Sequence, residues 1–240
     1  MSSSRRWLRW VIAGGAAVIV LAVGVPFVFF HFVEGGTPAP LSLKASSSAT
    51  AAASSAPAGA TTSPAGPVTG TWRVGAGSQV GYRVQEILFG QHHTAVGRSS
   101  QVTGTMVISG SEVRAASFTV PMSSIHSDSG QRDAQFDGRI MDVTAYPHGT
   151  FTLTRPISLD PLPAAGTVRA YTATGDLTLH GHTQRVTFTL TAQRTATAIK
   201  VAGSIPVTFA RWGIPNPSFT GFVTTQNHGV LEFLLTLSKS

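Results

Sequence analysis

The sequence predicts an all-β domain with one short helix, an antiparallel barrel or sandwich of eight or so strands behind an N-terminal transmembrane helix. Three observations carry this. From Trp72 onward apolar residues recur with period 2, Val and Thr crowd the same stretches, and 127–141 breaks the pattern with helical spacing. Strict alternation marks a strand with one apolar and one wet face, and β-branched residues suit a pleated, half-buried surface. Short turns between such strands favour antiparallel pairing.

Residues 11–33 come first: 23 residues without acid, Lys or Arg, with His31 their only titratable side chain, preceded by Arg5, Arg6 and Arg9 and followed by Glu34. At about 1.5 Å per residue this run covers a hydrocarbon core of roughly 30 Å. The basic flank 1–10 belongs in the cytoplasm and everything after Glu34 outside it. The expected location is the cell membrane, single-pass, with the C-terminal domain extracytoplasmic. A cleaved signal peptide has a shorter apolar region ending at a small-x-small site, and Gly35-Gly36-Thr37-Pro38 is a poor one. A lipoprotein anchor needs a cysteine, and the chain has none. Residues 34–69, rich in Ser, Ala, Thr, Pro and Gly, read as a disordered linker with an r.m.s. span of roughly 30–35 Å.

The domain is expected over 70–240. Alternation is carried by Val80, Tyr82 and Val84, then by Val102, Gly104, Met106 and Ile108, and then by Phe118 with Val120 and Phe151 with Leu153. Tyr171, Ala173, Gly175, Leu177 and Leu179 form the next apolar face, followed by Val186, Phe188 and Leu190, the series Ile199 to Val207, and Leu231 to Leu237. Glu86 to Gly90 and Ala95 to Arg98 read as a loop after the first strands. In 127–141, Ser127, Asp128 and Ser129 are N-cap types, and Phe136 and Ile140 share one helical face. A short helix covering one end of the barrel is expected there. Residues 211–221, with Pro215 and Pro217, read as irregular.

Eight strands enclose an interior that side chains fill or that holds one small ligand. The interior candidates are Tyr82, Met106, Phe118, Phe151, Leu177, Leu179, Phe188, Leu190 and Phe233, with Gly104, Ala173, Gly175 and Gly203 leaving space among them. An apolar tunnel with few charges suits a long hydrocarbon chain, and a packed core uses the same residues.

Other chemistry is weakly signalled. His180 and His182 share a strand face for a metal, but no third ligand lies nearby and Gly181 suits a hairpin turn. His92 and His93 sit in a Gly-bounded stretch. His126, Asp128 and Ser129 are hydrolytic-triad types crowded into one loop, with no Gly-x-Ser-x-Gly elbow, and capping accounts for them better. Asp133 suits a helix N-terminus, and Arg132 with Asp133 stabilises the helix or meets a ligand headgroup. Trp212 beside Arg211 is equally an interfacial anchor or a packing residue. No catalytic residue, metal or cofactor is expected. The absence of cysteine excludes disulfides, thiolate metal sites and a cysteine nucleophile. The chain is formally +7, and 70–240 holds 13 Lys+Arg against 9 Asp+Glu. These charges are scattered singly, which argues against nucleic acid, while a net positive domain is attracted to anionic headgroups.

Several motifs, in order, resemble the YceI-like family. Gly70-Thr71-Trp72 with Ser78-Gln79-Val80-Gly81-Tyr82 is similar to its opening strand pair. Arg132-Asp133, Phe136, Asp142-Val143, Tyr146-Pro147 and Phe151 are similar to its central helix-and-strand signature. Gly175-Asp176-Leu177-Thr178-Leu179-His180-Gly181-His182-Thr183 resembles its hairpin, and Phe209 to Ile214 its late Arg-containing segment. The resemblance implies a lipocalin-like eight-stranded antiparallel barrel that binds polyisoprenoid amphiphiles. The leading reading is a membrane-tethered binding protein for an isoprenoid or other long-chain lipid, and not an enzyme. The alternatives are a ligand-free structural or interaction module of the cell envelope, and an enzyme on lipid intermediates, for which no convincing nucleophile is present.

Overall fold

The structure, a computed structural model, describes residues 37–43, 68–88, 90–219 and 223–240. The basic flank 1–10, the expected span 11–33 and most of the linker lie outside the described residues. Among those described, no helix is long and apolar enough to cross a membrane.

Among the described residues twelve strands form one sheet: β1 (Gly70–Val74), β2 (Gln79–Leu88), β3 (Gln91–Ser99), β4 (Thr103–Ser109), β5 (Glu112–Pro121), β6 (His148–Leu153), β7 (Ile157–Ser158), β8 (Val168–Leu179), β9 (His182–Arg194), β10 (Ala198–Thr208), β11 (Val223–Thr225) and β12 (His228–Lys239). Eight of them, in the order β1-β4-β5-β6-β8-β9-β10-β12, run around a ring that β12 closes onto β1 through Trp72↔Lys239 and Val74↔Leu237. The architecture is the expected closed antiparallel barrel of eight strands. Closure removes the free edges that an open sheet would expose.

The seam has a distinct construction. One edge of β12 pairs first with β2, through Arg83↔Val230 to Gln79↔Leu234, and then with β1. Strands β1 and β2 are thus successive halves of one long strand. The break between them is a bulge at Gly75 to Ser78, where Gly77 takes φ +82° and the Ser78 hydroxyl donates to the Gly75 carbonyl at 2.8 Å. A residue with a Cβ is strained at that φ.

The loop expected after the first strands is instead the hairpin β2–β3, registered from Val80↔Ser99 to Leu88↔Gln91. Its alternation is hidden because the outer half of the hairpin carries Glu86, His92 and His93 in place of apolar residues. The turn His180-Gly181 is the expected hairpin. Both residues have positive φ, +46° and +73°, the geometry that a two-residue type I′ turn requires.

The expected helix is α1 (Gly130–Gln135), with Ser129 as N-cap accepting from the Arg132 amide at 3.4 Å. A wider helical turn, Phe136–Ile140, continues it. Phe136 and Met141 are buried in the barrel core with Ile125 and Trp212 and shut this end. Trp212 is 0% exposed, and its indole N–H donates to the Leu177 carbonyl at 3.2 Å. It is a packing residue, not an interfacial anchor.

The linker is not free throughout. Leu41 and Leu43 pack on the outer wall over Ala202 and Leu234, two apolar residues in outward register. The Leu41 amide donates to Glu232 Oε2 at 3.4 Å, and Arg98 Nη2 to the Ala39 carbonyl at 3.5 Å. Val68 is also buried, with its carbonyl accepting from the Trp72 indole at 2.8 Å. The barrel unit therefore takes in both edges of a segment that composition alone marks as uniformly loose.

Candidate lipid-binding cavity

A cavity of about 210 Å³ runs inside the barrel. Its walls are the inward series of the strands: Met106 and Ile108 from β4, Phe118 from β5, Phe151 from β6, Ala173, Leu177 and Leu179 from β8, Phe188 and Leu190 from β9, and Phe233 and Leu235 from β12. Tyr171 to Leu179 spans about 26 Å at a strand's rise per residue. The cavity is long and almost wholly apolar. It opens at the end where β8 begins, because Leu162 both lines it and is 44% exposed. Buried Met122, Ile125 and Leu179 form its floor.

Eight of the nine interior candidates, Met106, Phe118, Phe151, Leu177, Leu179, Phe188, Leu190 and Phe233, line this cavity. Tyr82 does not. Its ring stacks on Phe136 at 5.2 Å, and burial raises its phenol above the usual range. The glycines also act differently from expectation. A Cβ on Gly203 would lie 2.7 Å from the Phe233 ring, and one on Gly175 would lie 2.5 Å from the Thr152 carbonyl and inside the Phe151 ring. The space these glycines leave is taken by aromatic rings lying back against the wall. The lumen is cleared because the rings have somewhere to go.

Alternation also places residues at the mouth that inspection of apolar positions alone passes over. Continued in register, the inward series of β8, β9 and β12 reach Arg169, Arg194 and Lys239. Arg194 lines the cavity and Arg169 lies over the Tyr171 ring at 5.8 Å. Three strands thus bring a cation to the rim of an oily space.

Beyond the floor lies a polar cluster. Glu86 Oε1 meets His93 Nδ1 at 2.9 Å and accepts from Arg132 at 3.3 Å, and Arg132 also pairs with Asp128. Asp133 accepts from the Ser127 hydroxyl at 2.6 Å and amide at 2.8 Å, and faces His126 at 3.3 Å. Of the three triad types, Ser129 caps α1, Asp128 pairs with Arg132 and His126 faces Asp133, so they serve the helix start as capping predicts. Arg132 and Asp133 tie down the helix at the closed end, away from the mouth. His92 and His93 lie in β3. The His180 and His182 rings stand 6.3 Å apart at the turn, His180 with Tyr146 edge-on at 4.6 Å. Among the described residues no group of three His, Cys, Asp or Glu is placed to hold a metal ion.

Burial pushes the Asp133 carboxyl up, but the two Ser127 hydrogen bonds and His126 outweigh it and hold it below the ordinary range. A depressed carboxylate contributes stability that is present above its unfolded pKa and lost as pH falls through the folded value. Asp133→Asn is expected to cost about 1–2 kcal/mol at pH 7. It should also flatten the loss of stability below about pH 4. Urea midpoints at pH 7 and pH 3 check this, and parallel pH profiles for the two proteins would refute it.

A closed barrel of eight strands, floored at one end and open at the other onto an apolar lumen, belongs to the class of small closed β-barrels with an interior cavity. Within that class the chain belongs to the YceI-like domain family, whose model matches residues 72–237. Two solved structures share the fold. A polyisoprenoid binding domain from Saccharophagus degradans implicated in plant cell wall breakdown aligns with a TM-score of 0.60 at 16% identity, covering 72% of this chain and 99% of that one. BcnA from Burkholderia cenocepacia aligns with a TM-score of 0.53 at 19% identity, covering 68% and 98%. None of the curated proteins compared matches the chain.

Proposed function

We propose that this protein binds a polyisoprenoid-type or other long-chain lipid, with the tail in the barrel and the polar end at the Arg169–Arg194 rim. The observation that carries the reading is the apolar lumen, deep and narrow, with Arg194 lining it and Arg169 beside it at the mouth. A hydrocarbon chain gains by leaving water for such a space, at about 25 cal/mol per Å² buried. A polar headgroup keeps its hydration or meets a guanidinium. The Saccharophagus domain of the same fold is described as polyisoprenoid-binding, which supports the same ligand class here. The apolar run 11–33 and its basic flank support a single-pass anchor holding the barrel outside the cytoplasmic membrane. Release of the full chain from membranes by alkaline carbonate would refute the anchor.

The lumen is tested by filling it. Leu190 and Leu231 both line the cavity and are only partly buried. Leu190→Trp with Leu231→Trp places two large rings in space that is already open. The double variant is expected to lose at least about tenfold of the lipid recovered by organic extraction and mass spectrometry. Its stability should fall by no more than about 3 kcal/mol, the upper range for overpacking. Equal lipid recovery from both proteins, or none from either, would overturn the reading.

A further inference from the structure

The charges of the barrel are divided between its two ends. Toward the mouth lie Arg73, Arg114, Arg169, Arg194, Lys200 and Lys239. Among the described residues the acidic side chains at that end are Glu112 and Asp160, and Glu112 pairs with Arg114 at 2.9 Å. Toward the floor lie Glu86, Asp128, Asp133, Asp137, Asp142 and Glu232 against Arg83, Arg98, Arg132, Arg139 and Arg211, with Asp176 and Arg185 paired on the wall. The domain is therefore an electrical dipole with its positive pole at the opening. The same end carries exposed apolar side chains, Leu162 at 44% and Val168 at 50%. Leu162 borders the lumen itself.

From this coincidence we infer that the barrel docks mouth-first on an anionic bilayer surface. Cations near such a surface contribute about 1 kcal/mol each, and they act at distances where apolar contact has not begun. The dipole turns the opening toward the headgroups. Leu162 and Val168 then enter the interfacial layer, as exposed apolar groups rimmed by basic ones do. A lipid tail can pass between bilayer and lumen without crossing bulk water. Docking of this kind deepens the proposed lipid binding and rests on it for its purpose, but it is measured separately.

The chain lacks cysteine, so a single introduced thiol carries one label. Full-length protein with Val168→Cys, or with Thr183→Cys at the opposite end, is labelled with a polarity-sensitive fluorophore. It is mixed with vesicles containing a nitroxide lipid, made of phosphatidylcholine alone or with phosphatidylglycerol. The mouth label is expected to be quenched about threefold more on anionic vesicles. The difference should vanish at about 1 M salt, where screening acts within about 3 Å. It should vanish also in Arg73→Glu with Lys239→Glu, and the label at 183 should not respond to lipid charge. Equal quenching at both ends, or indifference of the mouth label to lipid charge, overturns the docking. An equal response of the mouth label to polyglutamate assigns the surface to an acidic protein and overturns it as well. The lumen-filled double variant keeps docking while holding no lipid if both readings are right. Docking failure with lipid still extracted from the purified chain sinks the docking alone, and docking by a chain that never yields lipid sinks the lumen reading alone.

Discussion

Glu232→Ala is expected to lower stability by about 3–5 kcal/mol, the cost of removing one partner from a buried ion pair. Glu232 points outward from β12, yet it is only 5% exposed. Its two oxygens accept from Arg83 Nε at 2.9 Å and Arg98 Nη2 at 2.5 Å, with the Leu41 amide at 3.4 Å. Burial lowers the Arg98 pKa while Glu232 counters it, with Arg83 adding repulsion. Without the carboxylate, two guanidinium groups face each other under the docked segment. Glu232→Gln keeps the acceptor and loses the charge, so its loss is expected to be smaller. The 39–43 segment should become sensitive to protease in Glu232→Ala, because its hydrogen bond is gone. Urea unfolding of the full chain checks the first point. A loss under 1 kcal/mol would show that Leu41 and Leu43 bind the wall without help from the charges.

Trp212→Ala is expected to cost about 3–5 kcal/mol by the same measurement, as large-to-small substitutions at fully buried aromatic sites do. The indole fills the closed end beneath β8 and β9, and its N–H satisfies the Leu177 carbonyl. Arg211 next to it stacks over the ring at 5.3 Å, and the Arg211 carbonyl accepts from Gln184 at 2.9 Å. Removing the ring opens the floor as well as the core. Trp212→Phe retains most of the packing but leaves the Leu177 carbonyl without its donor, and its loss is expected to be intermediate. If Trp212→Ala unfolds at the wild-type midpoint, the closed end does not depend on this plug.

The barrel was legible because its inner face is apolar and its outer face is largely Thr, so period 2 appears wherever a strand belongs to the ring. Legibility failed where a strand leaves the ring. In the outer half of β2–β3, Glu86 and His93 occupy the inward register because they meet a polar helix there instead of oil, and the hairpin reads as a loop. Tyr82 was misplaced for the same reason: it has the register of a lumen residue but stands below the floor. The docked segment left a trace in the wrong place. Ala202 and Leu234 are apolar in outward positions, a sign that something covers them, but nothing in a period-2 pattern says what. The cations at the mouth follow from continuing three alternations past their apolar members, a step that attention to hydrophobic positions omits.

The seam at β12 makes closure of the barrel a late step in folding. That one strand touches β10, β2 and β1, so the wall stays unsealed until β12 has found partners near residue 70. Such long-range pairing is slow to form. Until β12 pairs, the inner surface stays exposed, and the lumen is enclosed only once this strand has docked on both neighbours.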